Sequence, residues 1–241
     1  MGFYEELSKY YDVVFPLGEA QLKFINARAK GKKKILDLAA GTGNYSTALW
    51  KMGYEVTSVD LDEEMVRKVE EKNIAEGTKV KTLVLNMNKV ETLKDKFDVI
   101  ICIGNSLVHL QDKKEIQGLI KKLYDQLEEN GVLIIQIVNY DRIIKNNVKE
   151  LPLINREDKG VKFIRNYEEE NGRILFKSKL VVLENSEEKV YDNVVKLYPL
   201  QSTDLNTMLE GTGFKKVEFY GDFNEGEYNL NAMATVVSAI K

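Results

Sequence analysis

The stretch Ile35-Leu36-Asp37-Leu38-Ala39-Ala40-Gly41-Thr42-Gly43-Asn44 decides the fold of this chain. An apolar run with one carboxylate leads into small residues and two glycines, and residues 45–50 continue as an amphipathic segment. This order predicts a buried strand, a tight turn and a helix. Glycine suits such a turn because it adopts backbone angles closed to other residues and lets a ligand approach the main chain. The pattern indicates a nucleoside cofactor at the carboxyl end of a first parallel strand.

Two classes of cofactor compete for this turn. A dinucleotide site needs a third glycine, in the pattern Gly-x-Gly-x-x-Gly, so that a pyrophosphate fits on the helix N-terminus. Gly41 and Gly43 fill the first two positions, but Ser46 stands in the third. Asp37 precedes the turn, and its charge favours a ligand with an ammonium group. The stretch resembles the first motif of class I S-adenosylmethionine-dependent methyltransferases, Asp-x-x-x-Gly-x-Gly, with an ordinary glycine turn as the alternative.

The composition restricts the class of protein. The 241 residues, 44% hydrophobic and 30% charged, describe a globular protein with a substantial core. The net charge of -3 gives no electrostatic footprint for nucleic acid. The single Cys102 lies in an apolar run and is expected to pack inertly, and with only one histidine a Cys/His metal site is excluded. No leader or membrane-length apolar run stands out, so a cytoplasmic location is expected.

Strands and helices alternate along the first 139 residues, which predicts a parallel sheet covered on both faces. Two helices within residues 1–29, separated at Pro16, are predicted to precede the first strand. Asn130-Gly131 is predicted to close the last helix of this region. Further strands are predicted at 55–60, 79–85, 97–103 and 132–139, and helices at 62–76 and 113–128.

The alternation breaks after residue 139. Runs at 161–167, 174–183 and 190–197 are joined by the turn segments Glu-Asn-Gly and Glu-Asn-Ser-Glu, which predicts antiparallel strands. Residues 140–199 are therefore expected to form a β-rich insertion that either roofs the active site or makes a homodimer contact. Its twelve Lys or Arg against eleven Asp or Glu between residues 141 and 196 make it a poor clamp for a phosphate backbone.

The alternating pattern resumes after residue 200. A helix at 204–210 is followed by strands at 215–220 and 232–239, which are expected to pair as a hairpin. The resemblance covers most of 1–139 and 200–240. The expected fold is α/β: a doubly wound, mostly parallel, seven-stranded Rossmann-like sheet with an antiparallel last strand. Residues 1–139 and 200–241 are expected to form the S-adenosylmethionine-binding core.

The resemblance assigns the adenosine part of the cofactor to the second and third strands. Asp60 is expected to accept hydrogen bonds from both ribose hydroxyls, with a helix-start anion as the alternative. Leu61 and Met65 are expected against the adenine face, with core packing as the alternative for Met65. Asn86 and Met87 end the third strand, where the family often has Asp. The amide oxygen of Asn86 still accepts from an amine, and a turn-forming asparagine is the alternative.

The resemblance assigns the methionine part to the first and fourth strands. The main-chain carbonyls of Ala39 and Ile103 are expected to bind the amino group of the cofactor. Tyr11 belongs to a segment that folds over the cofactor in this family, and an aromatic ring attracts a sulfonium. Helix packing is the alternative for Tyr11. Asp37 and Gly41 complete the expected cofactor site.

Two short segments resemble the glycine and sarcosine N-methyltransferase branch: Asn-Ser-x-x-His-Leu after the fourth strand and Asn-Tyr-Asp after the fifth. His109, the only histidine, is expected to take or orient the proton of an amine, with a purely structural role as the alternative. Tyr11 is the second candidate for this proton. The expected substrate-binding residues are Asn105, His109, Asn139 and Tyr140.

The expected activity is methyl transfer from S-adenosylmethionine to a small-molecule acceptor, an amine, with S-adenosylhomocysteine as the product. The expected partner is that acceptor, and neither nucleic acid nor a membrane is expected. An RNA methyltransferase is disfavoured by the balanced charge of the insertion, and a nicotinamide-dependent dehydrogenase by Ser46. A non-catalytic cofactor-binding module stays open as an alternative, because a fold alone does not fix an activity.

Overall fold

The computed structural model describes residues 2–184 and 187–241. The strands are β1 Lys34–Leu38, β2 Glu55–Asp60, β3 Lys81–Val84, β4 Phe97–Cys102, β5 Leu127–Val138, β6 Ile154–Arg156, β7 Val161–Glu170, β8 Arg173–Glu184, β9 Glu187–Leu197, β10 Lys215–Tyr220 and β11 Ala234–Ile240. The helices are α1 Phe3–Val14, α2 Glu19–Ala29, α3 Asn44–Lys51, α4 Glu63–Glu76, α5 Lys113–Gln126, α6 Tyr140–Lys145 and α7 Ser202–Thr212. None of the described helices is both long enough and apolar enough to cross a membrane.

Seven strands form one mixed sheet in the order β10-β11-β5-β4-β1-β2-β3. Strands β1 to β5 pair in parallel, and β11 is antiparallel to both of its neighbours. The central strand β4 carries four consecutive fully buried apolar side chains, Val99 to Cys102, as a strand covered on both faces requires. The predicted fold class, including the antiparallel last strand, is confirmed.

The start of β5 differs from the prediction. Helix α5 ends at Gln126 and β5 begins directly at Leu127, so Asn130-Gly131 lies inside the strand and the predicted helix end was wrong. Phe97 pairs with Leu127, and Val99 already pairs with Val132, so the residues between these partners bulge out of the ladder. Asn130 adopts a left-handed conformation there, which explains the turn-like sequence.

The second sheet, in the order β6-β7-β8-β9, is antiparallel and lies within the predicted insertion. Its first strand, β6, was not predicted. The predicted Glu-Asn-Ser-Glu turn includes Asn185 and Ser186, which lie outside the described residues. Helix α1 packs on this sheet through Leu7 and Val14, which share a buried cluster with Phe163 and Leu180. The contact brings the N-terminal helix and the second sheet to the same side of the core.

Candidate active site

A cavity of about 480 Å³ lies where the carboxyl ends of β1 and β4 meet helix α1 and the inner face of the second sheet. Crossovers leave β1 and β4 in opposite directions, and ligands of open α/β sheets bind at such a switch point. Residues from all of these parts of the fold line the cavity. They include Tyr11, Asp37, Ala39, Ile103, Asn105, His109, Phe163 and Arg165.

The glycine turn has an unusual backbone conformation and packs closely on its neighbours. Ala39, Gly41 and Gly43 all have positive φ angles, of 59°, 57° and 72°. A Cβ on Gly43 would lie 2.7 Å from the Val69 side chain, so the turn packs directly on helix α4. The left-handed conformation of Ala39 costs about 1 kcal/mol, so the surrounding structure must fix the backbone at this residue. The predicted glycine turn is present, and the side chains of Val69 and Tyr11 pack closely on its two glycines.

Asp37 is buried below the turn, with 2% of its surface exposed. The Ser46 hydroxyl donates a hydrogen bond to its Oδ2 at 2.6 Å. Burial raises the pKa of Asp37 to about 7, and the charge of Asp60 adds to the shift. Ser46 therefore replaces the third glycine with a donor that holds this carboxyl group. The sequence analysis treated Ser46 only as a departure from the dinucleotide pattern and missed this role.

Asp60 is set by the main chain at the end of β2. Its Oδ2 accepts from the Gly41 N–H at 2.8 Å, and its Oδ1 accepts from the Asp62 N–H at 3.0 Å. Burial raises its pKa, while these hydrogen bonds act in the opposite direction. Each carboxylate oxygen keeps a second lone pair for a ribose hydroxyl. This arrangement fits the predicted ribose contact.

Neither Asp60 nor the other predicted adenosine residues belong to the lining of this cavity. Leu61, next to Asp60, is 66% exposed, so its side chain is accessible to the adenine ring that it is predicted to contact. Met65 is only 4% exposed and matches the core-packing alternative. Asn86 is exposed, and its Oδ1 accepts from the Asn88 N–H at 2.9 Å, which matches the turn-forming alternative. Met87 follows it and is half-buried.

Tyr11 lies directly over the glycine turn. A Cβ on Gly41 would come 2.9 Å from its hydroxyl oxygen. Burial raises the pKa of the Tyr11 phenol far above its ordinary value, and the charges of Asp60, Asp37 and Asp12 add to this shift. The phenol therefore stays protonated at neutral pH and is a poor proton acceptor. The structure supports Tyr11 as an aromatic wall of the cofactor site.

The predicted substrate residues separate into two layers. Asn105 lines the cavity, and its amide is held from behind: Oδ1 accepts from the Val138 N–H at 2.9 Å, and Nδ2 donates to the Tyr140 hydroxyl at 3.1 Å. Tyr140 and Asn139 are fully buried, and the cavity lining includes neither of them. The Asn139 amide donates to the carbonyls of Asn229 and Ala232, both at 3.0 Å. Tyr140 therefore supports Asn105 in the loop after β4, whereas Asn139 holds the segment that precedes β11.

His109 lines the cavity from the short 3₁₀ helix that follows β4. Partial burial lowers the pKa of its imidazole, so the ring is neutral at pH 7. Within residues 2–184 and 187–241, no hydrogen-bond partner holds either ring nitrogen. A neutral imidazole with a free lone pair is able to accept a proton. Of the two predicted proton-handling residues, His109 alone has suitable chemistry.

Arg165 and Ser178 were not predicted as site residues. They face each other across β7 and β8, and both line the cavity. Arg165 Nη2 donates to the Pro152 carbonyl at 2.8 Å. Its buried Nε and the Ser178 hydroxyl have no hydrogen-bond partner in the described part of the chain. Burial lowers the pKa of the guanidinium, which nevertheless stays charged at pH 7. The sequence contains a signal for Arg165, because it shares one face of the strand with Val161, Phe163 and Tyr167, which are buried.

Comparisons with known proteins agree with this geometry. A family model described as a methyltransferase domain matches residues 35–131. The glycine/sarcosine N-methyltransferase of Aphanothece halophytica is 28% identical over 223 residues, which cover 92% of this chain and 80% of that protein. The glycine N-methyltransferase of Rattus norvegicus is 33% identical over 129 residues, covering 48% of this chain and 44% of that protein.

A solved structure of an S-adenosylmethionine-dependent methyltransferase from Clostridium acetobutylicum ATCC 824 has the same fold. It superposes with a TM-score of 0.84 at 19% identity and covers 98% of both chains. The matched residues 35–131 include the glycine turn, Asp37 and Asp60. Residues 35–131 thus match a methyltransferase domain, and the chain as a whole is similar to S-adenosylmethionine-dependent methyltransferases, including glycine/sarcosine N-methyltransferases.

Proposed function

We propose that this enzyme methylates the nitrogen of a small amine that also carries a carboxylate. The observation that carries the proposal is Arg165, whose guanidinium lines the cavity without a carboxylate partner among the described residues. A buried cation is stable only when an anion or several hydrogen bonds compensate its charge. A carboxylate on the acceptor fits this need because it compensates the charge of the guanidinium. Glycine and sarcosine, which the names of two relatives contain, both combine an amine with a carboxylate.

The positions of the two cavity walls support this orientation of the acceptor. Arg165 and Ser178 lie on the second sheet, whereas Ile103 and His109 lie at the end of β4. An amino acid held by its carboxylate on the first wall directs its amine toward the second. S-adenosylmethionine, when bound, supplies an electrophilic methyl group. The chain aligns the nucleophile and excludes water, and Phe163 contributes an apolar surface beside Arg165.

Proton removal from the amine is the chemical task left to the protein, because only a neutral nitrogen is nucleophilic. His109→Ala is expected to lower kcat about 10²-fold at pH 7, while the affinity for the cofactor changes little. The defect is expected to shrink above about pH 9, where solvent deprotonates the amine without help. Steady-state rates between pH 6.5 and 9.5 measure this. An unchanged kcat at pH 7 would return His109 to a structural role.

Asp60→Ala tests the ribose contact. We expect the dissociation constant of S-adenosylhomocysteine to rise by a factor that corresponds to about 2–3 kcal/mol, because two charge-assisted hydrogen bonds are lost. Titration calorimetry measures this constant directly. Glu63→Ala is the matched control, since it removes an exposed carboxylate three residues along the chain. Equal affinities in wild type and Asp60→Ala would remove Asp60 from the site.

A screen of paired acceptors with labelled cofactor tests the proposed function as a whole. Each pair has an amino acid and the amine that remains without its carboxylate, such as glycine with methylamine and sarcosine with dimethylamine. We expect methyl transfer to the carboxylated member at a rate at least about 10²-fold higher. Equal transfer to both members would contradict the proposal, and transfer only to an added RNA pool would favour the RNA alternative. Cofactor binding without any transfer would favour the non-catalytic module.

A further inference from the structure

A second cavity, of about 490 Å³, lies at the opposite edge of the seven-stranded sheet from the active site. It is formed where β5 and β10 begin and β11 ends, beside the C-terminus of α2. Five of its lining side chains are cationic and one, Glu218, is anionic. The cations are Arg28, Lys32, Lys215, Lys216 and Lys241. In a chain with a net charge of -3, this is a local concentration of positive charge.

The backbone of β10 is distorted in a way that builds this basic pocket. Successive side chains of a regular strand point to opposite faces, yet Lys215 and Lys216 both line the same cavity. The register between β10 and β11 shifts between Lys215 and Glu218, so a bulge lies at this point. Lys216 adopts a positive φ of 46°, which costs a non-glycine residue about 1 kcal/mol. Because of this distortion, two neighbouring lysines line the same cavity.

Two further lysines of this pocket are held by main-chain carbonyls. Lys32 donates to the Asn130 carbonyl at 2.7 Å, and Lys241 donates to the Leu127 carbonyl at 2.9 Å. A carbonyl dipole fixes the position of an ammonium group but leaves its net charge in place. Asn130, which also lines this cavity, has a left-handed φ of 61°, a conformation that asparagine tolerates.

The neighbouring carboxylates compensate only part of this charge. Glu225 pairs with Arg28 at 3.0 Å, and Glu129 lies 4.0 Å from the Lys241 ammonium. Lys215 and Lys216 are exposed, and within residues 2–184 and 187–241 neither forms an ion pair. The pocket therefore keeps at least two uncompensated ammonium groups on one concave surface. Such a surface selects a compact ligand with several negative charges.

We propose that the basic pocket binds a small phosphorylated molecule, recognised through its phosphoryl oxygens and independently of the active site. The size of the cavity suits a small molecule, and a net charge of -3 gives the chain no overall electrostatic footprint for a nucleic acid backbone. The pocket lies at the amino edge of the sheet, whereas the cofactor and acceptor residues lie at the carboxyl edge. Occupation of one cavity does not block the other.

The test is calorimetric titration of the full chain with inorganic pyrophosphate at 50 mM salt. We expect one site per chain, and a dissociation constant that rises about tenfold or more in the double variant Lys215→Gln/Lys216→Asn. Asparagine is chosen at position 216 because it tolerates a positive φ. The matched control is Lys114→Gln/Lys121→Asn, which removes the same charge from exposed positions on α5 and is expected to leave binding unchanged.

Two further titrations separate this pocket from the active site and from an RNA surface. Arg165→Met is expected to bind pyrophosphate as the wild type does, because Arg165 lines the other cavity. Absence of binding at 50 mM salt, or an equal loss in the control pair, would overturn the proposal. Tighter binding of a ten-nucleotide RNA, with the same dependence on Lys215 and Lys216, would also overturn it in favour of a nucleic acid surface. None of these results depends on methyl transfer.

Discussion

Asp37→Asn is expected to stabilise the cofactor-free enzyme and at the same time to weaken its binding of S-adenosylmethionine. The Asp37 carboxyl group is buried, and the Ser46 hydroxyl is the one side-chain donor bonded to it among the described residues. Burial raises its pKa from 3.8 to about 7, so ionising it in the folded state costs free energy. Asparagine keeps the shape and accepts from Ser46 without a charge. A bound ammonium group, in contrast, loses its counter-ion.

The sign of the pH dependence follows from this shift. The folded state holds the Asp37 proton more tightly than the unfolded chain, so its contribution to stability is fully present below about pH 4. It is lost as the pH rises through about 7. At pH 8 the variant is therefore expected to exceed the wild type by about 2–4 kcal/mol in free energy of unfolding. The difference is expected to vanish near pH 4.

Urea unfolding between about pH 4 and pH 8.5 measures the first effect, and calorimetry with S-adenosylmethionine at about pH 8 measures the second. We expect the affinity to fall about tenfold or more. Asp98→Asn is the control, and it is expected to change the stability of the fold in the opposite direction. Asp98 accepts from the main-chain N–H groups of Lys33 and Lys34, its pKa is lowered, and its loss is expected to destabilise the fold. An Asp37→Asn variant that is less stable at every pH would contradict the electrostatic argument.

Local patterns in the sequence predicted the parts of the fold that depend on local chemistry. The glycine turn, the strand at 55–60 and the helix predicted at 62–76 were found where expected, since each depends on neighbouring residues. Asn130-Gly131 misled the analysis because the same dipeptide suits a helix end and a bulge. The partner strand decides between these two.

The residues of the cavity wall were harder to predict, because the direction in which a side chain points depends on tertiary packing. A motif places Asn139 and Tyr140 at the end of β5 but does not say which way their side chains point. The fold buries Tyr140 behind Asn105 and Asn139 against the segment before β11. Arg165 and Ser178 become neighbours only through the register of β7 and β8. Their exposure to the cavity also requires helix α1 to cover the same sheet. Sequence reasoning identified the cofactor edge and missed the opposite wall.

Arg165→Met is expected to raise KM for a carboxylated amine about 10²–10³-fold, because truncating one partner of a buried charge pair costs about 3–5 kcal/mol. The affinity for S-adenosylhomocysteine is expected to stay the same. Without an acceptor, the guanidinium has no carboxylate partner among the described residues, so methionine is expected to leave the fold equally stable or more stable. Arg165→Lys is expected to recover only part of the loss, because an ammonium group lacks the two-pronged geometry that a carboxylate matches.

The measurement is a pair of KM values for each variant, one for an amino acid and one for the same amine without its carboxylate. In the wild type we expect a large ratio between them, and in Arg165→Met a ratio near one. Arg173→Met is the matched control, since Arg173 lies on β8 but stacks 5.2 Å from the centre of the Tyr198 ring and lies outside the cavity lining. If Arg165→Met kept the discrimination of the wild type, the anion site would lie elsewhere in the cavity. The proposal of a carboxylated acceptor would then lose the contact with Arg165 that supports it.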